Sequence, residues 1–237
     1  MTAVTAFALV HGAWHGAWCW ELLATELQRL GHQTIAMDLP CDDSSQTFQS
    51  YATLVSQVID ENASDEDVVL VAHSTGGLSA PLVRPRRPIR HLVYLCALVA
   101  TPRLSFIDQL SEEPEMINSD YLAGMSALDP QMRSQWVDQA LARTILFDDC
   151  DLATSQAAFK RLRPQAVSPY GETCHLQALP DTPATYVVCA QDRLVNPAWS
   201  RRTAEERLGA DVVELPGSHS PFLSRPSHLA AVLDELV

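Results

Sequence analysis

The chain has 237 residues, of which 47% are hydrophobic, and it carries a formal net charge of -13 at pH 7. This length allows one substantial hydrophobic core but is short for two ordinary domains, so we expect a single domain over residues 1–237. The acidic balance argues against a nucleic-acid partner, because such a partner needs a basic face that replaces the counterions of its phosphates.

Short apolar runs rich in β-branched residues alternate with helix-like segments along most of the chain. Each run ends in polar or small residues, which is typical of parallel strands covered on both faces. The predicted strands are residues 6–10, 34–38, 68–72, 91–96, 184–189 and 212–215. The predicted helices around them are residues 18–30, 47–62, 76–83, 197–208 and 227–236. Right-handed crossovers between such strands produce a doubly wound, mostly parallel α/β sheet.

The alternation stops between about residues 104 and 173. This stretch shows no strand-like run and is predicted to be helical, most clearly over residues 134–146 and 152–162. A helical insertion between two strands indicates a lid over the carboxyl edge of the sheet, where ligands bind in such folds. The candidate pocket residues are Trp14, Met125, Trp136 and Phe147. For the three lid residues among them, core packing is an equally good interpretation.

Residues 68–77, VVLVAHSTGG, read as a strand that turns sharply into a helix, with Ser74 at the turn. Small residues at Ala72 and Gly76 suit a nucleophile elbow, which strains the backbone and brings the positions two before and two after the serine together. His73 points away from the serine by strand alternation and is interpreted as structural. An ordinary Ser-Gly turn is the alternative, but the pattern favours Ser74 as a catalytic nucleophile.

A nucleophilic serine needs a base that takes its proton and an acid that orients the base, and this kind of sheet supplies them in the order Ser, Asp or Glu, His. His219 lies in the loop after the last predicted strand and is the expected base, with His175 as the next candidate. Asp192 follows the penultimate strand and is the expected acid. The alternative for Asp192 is a surface ion pair with Arg193.

The oxyanion of a tetrahedral intermediate needs two backbone N–H donors. We expect one from Thr75, directly after the nucleophile, and one from Ala13, in the loop that Gly12 lets turn tightly after the first strand. His11 and His15 have the spacing of a metal pair, but this loop is not the helix that such a pair needs. We therefore expect no metal there, and a serine nucleophile with its base and acid requires no cofactor.

Membrane and redox signals are weak in this sequence. No apolar run reaches the roughly 18 residues that span a bilayer, and no secretory leader pattern precedes the first strand. The six cysteines are far apart and form no CxxC pattern, so they indicate neither a disulfide framework nor a zinc site. We expect a soluble, cytoplasmic protein with a small-molecule partner and no membrane partner. Apolar surface around the lid is compatible with a homodimer.

These residues together resemble the α/β-hydrolase superfamily, and more narrowly its branch of plant methyl esterases, hydroxynitrile lyases and their bacterial relatives. The matching segments are residues 9–20 (LVHGAWHGAWCW), 31–32, 37–39, the elbow, 191–192 and 218–226 (SHSPFLSRP), with 147–150 (FDDC) and 162–164 (LRP) in the lid. The resemblance implies the α/β-hydrolase fold with a helical lid inserted after the sixth strand. It also implies a triad of Ser74, Asp192 and His219, with oxyanion donors at Ala13 and Thr75.

Two positions separate this chain from the hydroxynitrile lyases of that branch. Those enzymes carry a threonine where this chain has Gly12, and a lysine that stabilises the departing cyanide where it has Ser220. The resemblance therefore implies a carboxylesterase-like serine hydrolase that cleaves small to medium apolar carboxylic esters through an acyl-enzyme. The alternatives are cleavage of an amide, a lactone or a C–C bond next to a carbonyl by the same triad, or a non-catalytic ligand-binding member of the fold.

Overall fold

The computed structural model describes residues 5–63, 68–83 and 88–237. Its strands are β1 Ala6–Val10, β2 Gln33–Ala36, β3 Val68–His73, β4 His91–Leu95, β5 Arg133–Ser134, β6 Gln165–Ala166, β7 Ala184–Cys189 and β8 Asp211–Leu215. Six of them form one parallel sheet in the order β2-β1-β3-β4-β7-β8. Within these ranges, no helix combines the length and the apolar character that crossing a bilayer requires.

The sheet is covered by helices on both faces, which confirms the predicted doubly wound α/β architecture. The helices are α1 Glu21–Arg29, α2 Phe48–Asn62, α3 Gly76–Val83, α4 Phe106–Glu112, α5 Gln139–Leu146, α6 Leu152–Arg161, α7 Pro197–Thr203, α8 Pro221–Ser224 and α9 Pro226–Asp234. The strand order reverses between β1 and β3, which lie side by side although β2 separates them in the chain. Ligands of such sheets bind outside the carboxyl ends of the strands at this reversal.

Alternate residues of the central strands face two separate hydrophobic layers. Phe7 and Leu9 of β1 belong to the layer that α1 and α9 complete, and α1 packs directly on α9. Ala8 and Val10 of the same strand face the opposite layer, which contains side chains of α2 and α3. Because period-two alternation sends neighbouring residues to opposite faces, this strand is apolar throughout and is buried on both sides.

The segment predicted as a lid runs from β4 to β7. It follows the fourth strand of the sheet in the described chain, and not the sixth. The helix predicted over residues 134–146 is wrong at its start, because Ser134 pairs with Gln165 between the antiparallel strands β5 and β6. The helix begins at Gln139, where the Asp138 side chain accepts a hydrogen bond from the Leu141 N–H at 2.9 Å. An N-cap has non-helical backbone angles, so the helix cannot extend back through Asp138.

Candidate active site

Ser74 occupies a sharp turn between β3 and α3 and has a backbone φ of +52°. A non-glycine residue in this left-handed region is strained and persists only where its surroundings fix it. The backbone supplies that restraint, because the Ser74 N–H donates to the Leu95 carbonyl at 3.2 Å and the Ser74 carbonyl accepts from the Leu98 N–H at 2.9 Å. The turn thus presents the serine at the carboxyl edge of the sheet.

Gly76 and Gly77 must be small because the backbone of other segments lies close to them. A Cβ on Gly77 would lie 2.1 Å from the Leu98 carbonyl oxygen, and a Cβ on Gly76 would lie 3.0 Å from the carbonyl oxygens of Val10 and His11. The restriction on Gly76 comes from the end of β1 and the loop that follows it.

His219 and Asp192 form a buried pair at the same edge of the sheet. His219 Nδ1 donates to Asp192 Oδ2 at 2.7 Å, and the two side chains are 1% and 2% exposed. The other carboxylate oxygen, Oδ1, accepts from the N–H groups of Leu194 and Val195 at 2.8 and 3.1 Å. With its proton on Nδ1, the imidazole keeps its basic lone pair on Nε2.

The alternatives for the base and the acid lie elsewhere in the structure. Arg193 pairs with Asp148 at 3.2 Å on the surface, and Asp192 is turned inward to His219. His175 is exposed and lines a small pocket that Ser74 does not share. The structure therefore brings Asp192 and His219 together and leaves His175 apart from them.

The loop after β1 packs directly against Ser74. A Cβ on Gly12 would lie only 2.7 Å from the Ser74 Cβ, so this residue must be a glycine for the loop to come so close. In the described part of the chain, neither the Ala13 N–H nor the Thr75 N–H donates to a protein acceptor. Two free donors beside a serine are what an oxyanion hole requires.

Two buried histidines hold the carbonyl groups of this loop. His11 Nε2 accepts from the Leu39 N–H at 2.9 Å, so its protonated Nδ1 donates to the Gly12 carbonyl at 2.8 Å. His15 Nδ1 lies 2.8 Å from the Ala13 carbonyl oxygen and donates to it. Burial lowers the pKa of His11 to about 4 and the pKa of His15 to about 3. Each ring is thus neutral, and its Nδ1 donates to a carbonyl of the loop.

His73 contacts the backbone of His219. Its Nε2 donates to the His219 carbonyl at 2.9 Å, and the two ring centroids are 4.6 Å apart. Burial, followed by the proximity of His219, lowers the pKa of His73 well below its usual value. Strand alternation predicts that His73 points away from the serine. It does not predict this hydrogen bond, because the acceptor lies 146 residues away in the chain.

A cavity of about 450 Å³ opens next to Ser74 and Thr75, with mostly apolar walls. Trp14 and Met125 line it, as the sequence predicts. The prediction for Trp136 is wrong, because its ring packs against the Trp14 ring at 5.8 Å and does not line the cavity.

The prediction for Phe147 is also wrong. This side chain is fully buried, and its ring packs edge-on against His15 with centroids 6.1 Å apart. Two tyrosines that the sequence did not single out, Tyr121 and Tyr170, line the cavity instead. Both lie in short 3-10 helices, Ser119–Gly124 and Ser168–Gly171, which are too brief to produce a helical hydrophobic period.

Comparison with known proteins shows what this chain is similar to. A family model described as "Alpha/beta hydrolase family" matches residues 7–232. Pheophorbidase of Raphanus sativus is 30% identical over 98% of this chain and 93% of its own length. Methyl jasmonate esterase 1 of Vitis vinifera is 28% identical over 98% of this chain and 96% of its own length. The crystal structure of polyneuridine aldehyde esterase shares the fold with a TM-score of 0.84 at 23% identity, covering 99% of each chain.

Proposed function

Because this chain belongs to the alpha/beta hydrolase family, we propose that it is a carboxylic ester hydrolase that works through an acyl-enzyme on Ser74. The observation that carries the proposal is the buried hydrogen bond of 2.7 Å between His219 and Asp192, at the sheet edge where the strained Ser74 lies. The esterase names of its relatives support the same chemistry.

In the proposed mechanism, Ser74 Oγ attacks the ester carbonyl while His219 Nε2 takes its proton. Asp192 stabilises the imidazolium that forms and holds the ring in the required tautomer. The imidazolium then gives its proton to the leaving alkoxide, and the acyl group stays on Ser74. Water repeats the attack with His219 again as the base, which releases the carboxylic acid and restores the serine.

The negative charge of each tetrahedral intermediate would be stabilised by the N–H groups of Ala13 and Thr75. Both donors belong to backbone that is fixed before the substrate binds, so their orientation costs little during the reaction. The neutral rings of His11 and His15 hold the carbonyls of Gly12 and Ala13. They therefore help to keep the Ala13 N–H turned toward the serine side of the loop.

The cavity favours an apolar substrate of small to medium size. Its volume of about 450 Å³ lies within the usual range of about 300–1,000 Å³ for small-molecule pockets. Aromatic and aliphatic side chains form most of its wall, among them Trp14, Tyr121 and Met125. A bulky apolar group, on the acyl or the alcohol side of the ester, can be buried there, while highly charged esters would lose their hydration without compensation.

Two residues favour ester hydrolysis over cyanohydrin cleavage. A threonine in place of Gly12 would bring its Cβ to within 2.7 Å of the Ser74 Cβ, which requires the loop to move. Ser220 is fully buried, so a lysine at that position would have to place its ammonium group in the interior next to His219.

The direct test of the nucleophile is covalent labelling with a fluorophosphonate, followed by peptide mapping. We expect one adduct, on Ser74, and its loss in Ser74→Ala. Ser79→Ala is the matched control, because Ser79 is a buried serine five positions along whose hydroxyl donates to the Gly76 carbonyl. An adduct elsewhere, or full esterase activity in Ser74→Ala, would overturn the proposal.

The bond that is cleaved can be determined with matched substrates. We expect hydrolysis of p-nitrophenyl butyrate and hexanoate, with much slower turnover of the corresponding anilides and of simple lactones. Faster turnover of amides or lactones would identify one of the alternative reactions of the same triad. Saturable ligand binding without any turnover would instead favour a ligand-binding role.

The oligomeric state and the cytoplasmic location expected from the sequence stay predictions. Light scattering of the purified chain distinguishes a monomer from a homodimer, and fractionation of the source cells tests the location.

A further inference from the structure

The turn at residues 147–150, FDDC, belongs to the segment between β4 and β7 and has no part in the mechanism above. It connects α5 to α6, and the Cys150 N–H donates to the Phe147 carbonyl at 3.0 Å to close it. Phe147 and Cys150 are both buried, and the next residue, Asp151, caps the start of α6. The two residues at the tip of the turn therefore have fixed positions.

One of these residues, Asp149, contacts the loop that carries His219. The Ser218 hydroxyl donates to Asp149 Oδ1, and Arg225 Nε donates to Asp149 Oδ2 at 3.3 Å. The same oxygen, Oδ2, would lie 2.6 Å from a Cβ at Gly217, whose φ is +123°. One carboxylate thus accepts hydrogen bonds from Ser218, the residue before His219, and from Arg225, six positions after it. It leaves no room for a side chain at Gly217.

The same loop is held on its other side by the residue that precedes the acid. The Gly217 N–H donates to Gln191 Oε1 at 2.5 Å, and the Gln191 N–H donates to the Gly217 carbonyl at 3.0 Å. Gln191 thus joins the loop of the base to the loop of the acid, Asp192. Asp149 provides the second anchor, from a different part of the chain.

The Ser218 side chain makes this second anchor sensitive to substitution. Ser218 is 1% exposed, and its hydroxyl finds its acceptor in Asp149. A buried hydroxyl that loses its acceptor is left without compensation for its lost hydration, so the loop would move to find another partner. Ser218 is bonded directly to His219 through the chain, and such a movement would carry the imidazole with it.

We propose that Asp149 is a positioning residue for His219, through which the segment between β4 and β7 fixes the loop of the catalytic base. This inference rests on the proposed function, in which His219 acts as the base. Asp149 does not touch the reacting atoms. It acts through Ser218 and Gly217, and Arg225 balances its charge.

The test compares three variants in steady-state esterase assays. Asp149→Ala removes both acceptors, and we expect kcat to fall about 10- to 100-fold with KM within twofold of the wild type, because a misplaced base weakens only the transition state. Asp149→Asn keeps one acceptor for Ser218, and we expect it to recover part of the loss. Asp148→Ala is the matched control, because the neighbouring carboxylate forms an exposed ion pair with Arg193, and its kcat should be unchanged.

A second measurement does not depend on turnover. The proton between His219 Nδ1 and Asp192 should give a low-field resonance in the proton NMR spectrum of the wild type and of Asp148→Ala. We expect it to broaden or shift in Asp149→Ala and in Ser218→Ala, which removes the donor and leaves the carboxylate in place. Ser218→Ala also keeps the test open if Asp149→Ala does not fold.

The outcomes separate this inference from the proposed function. Wild-type kcat in Asp149→Ala, together with an unchanged low-field resonance, would overturn the positioning role while leaving the esterase proposal intact. A wild-type protein without esterase activity would overturn the proposed function, and the NMR comparison would still decide whether Asp149 positions His219. A fall in kcat equal in Asp148→Ala and Asp149→Ala would also contradict the inference, because it would show a general effect of the turn.

Discussion

A methyl group added at Gly12 would meet Ser74, the proposed nucleophile. Its Cβ would lie 2.7 Å from the Ser74 Cβ, 2.9 Å from His73 Nδ1 and 3.2 Å from the His73 carbonyl oxygen. Non-bonded carbon atoms pack at about 3.5–4.0 Å, so the substitution Gly12→Ala creates an overlap of about 1 Å.

The neighbours of this methyl group cannot move aside easily. The backbone of Ser74 is held by Leu95 and Leu98, and the ring of His73 is held by the His219 carbonyl. The loop after β1 must therefore shift by about 1 Å and take the Ala13 N–H with it. Removing one oxyanion donor lowers the rate of an enzyme by about 10²- to 10³-fold. Because we propose the Ala13 N–H as such a donor, we expect its displacement to lower kcat/KM by about 100-fold or more. Overpacking destabilises a core by about 1–3 kcal/mol, so the protein should still fold.

The assay is hydrolysis of p-nitrophenyl butyrate by Gly12→Ala, with the thermal midpoint measured in parallel. Gly171→Ala is the matched control, because a Cβ there meets nothing closer than Ile107 Cδ1 at 3.8 Å. A value of kcat/KM in Gly12→Ala within threefold of the wild type would refute the reasoning, since the Ala13 N–H would then tolerate displacement or contribute nothing.

Two further predictions concern stability. The folded pKa values of about 4 for His11 and about 3 for His15 lie below the unfolded value of 6.5, so the stability these neutral rings contribute is complete above pH 6.5 and is lost as the pH falls. At pH 5 the free energy of unfolding should be lower than at pH 7 by about 2 kcal/mol for each histidine. Equal free energies of unfolding in urea at the two pH values would contradict this prediction. Tyr186→Phe should leave kcat unchanged but lower the unfolding free energy by about 1–3 kcal/mol, because the buried hydroxyl bonds the Ala97 carbonyl and Ser200 Oγ. Unchanged urea unfolding of this variant would show that water replaces the lost partner.

The sheet and the places of Ser74, Asp192 and His219 could be predicted because they follow from strand ends. In a parallel sheet, every loop that follows a strand lies at the same edge. A polar residue directly after an apolar run is therefore assigned to that edge without knowledge of any contact. The bond between His219 and Asp192, 27 residues apart, needed only this rule and the chain order.

The walls of the cavity could not be predicted in the same way. Apolar character predicts that Trp136 and Phe147 are buried but does not predict their neighbours. The structure packs Trp136 against Trp14 and Phe147 against His15. Tyr121 and Tyr170 reach the cavity from 3-10 helices of six and four residues, where no periodic pattern develops. The strands β5 and β6 are two residues long and leave no alternation to detect.

The loop after β1 shows why residue type alone does not determine a role. His11 and His15 are spaced like metal ligands, yet each ring donates to a carbonyl of the loop, as a backbone N–H would. They can do this without a charge because burial keeps their pKa low, so the rings act as fixed dipoles near neutral pH. The same burial makes the fold sensitive to acid. The geometry proposed for the oxyanion donor Ala13 and the predicted loss of stability below pH 6.5 thus have one physical cause.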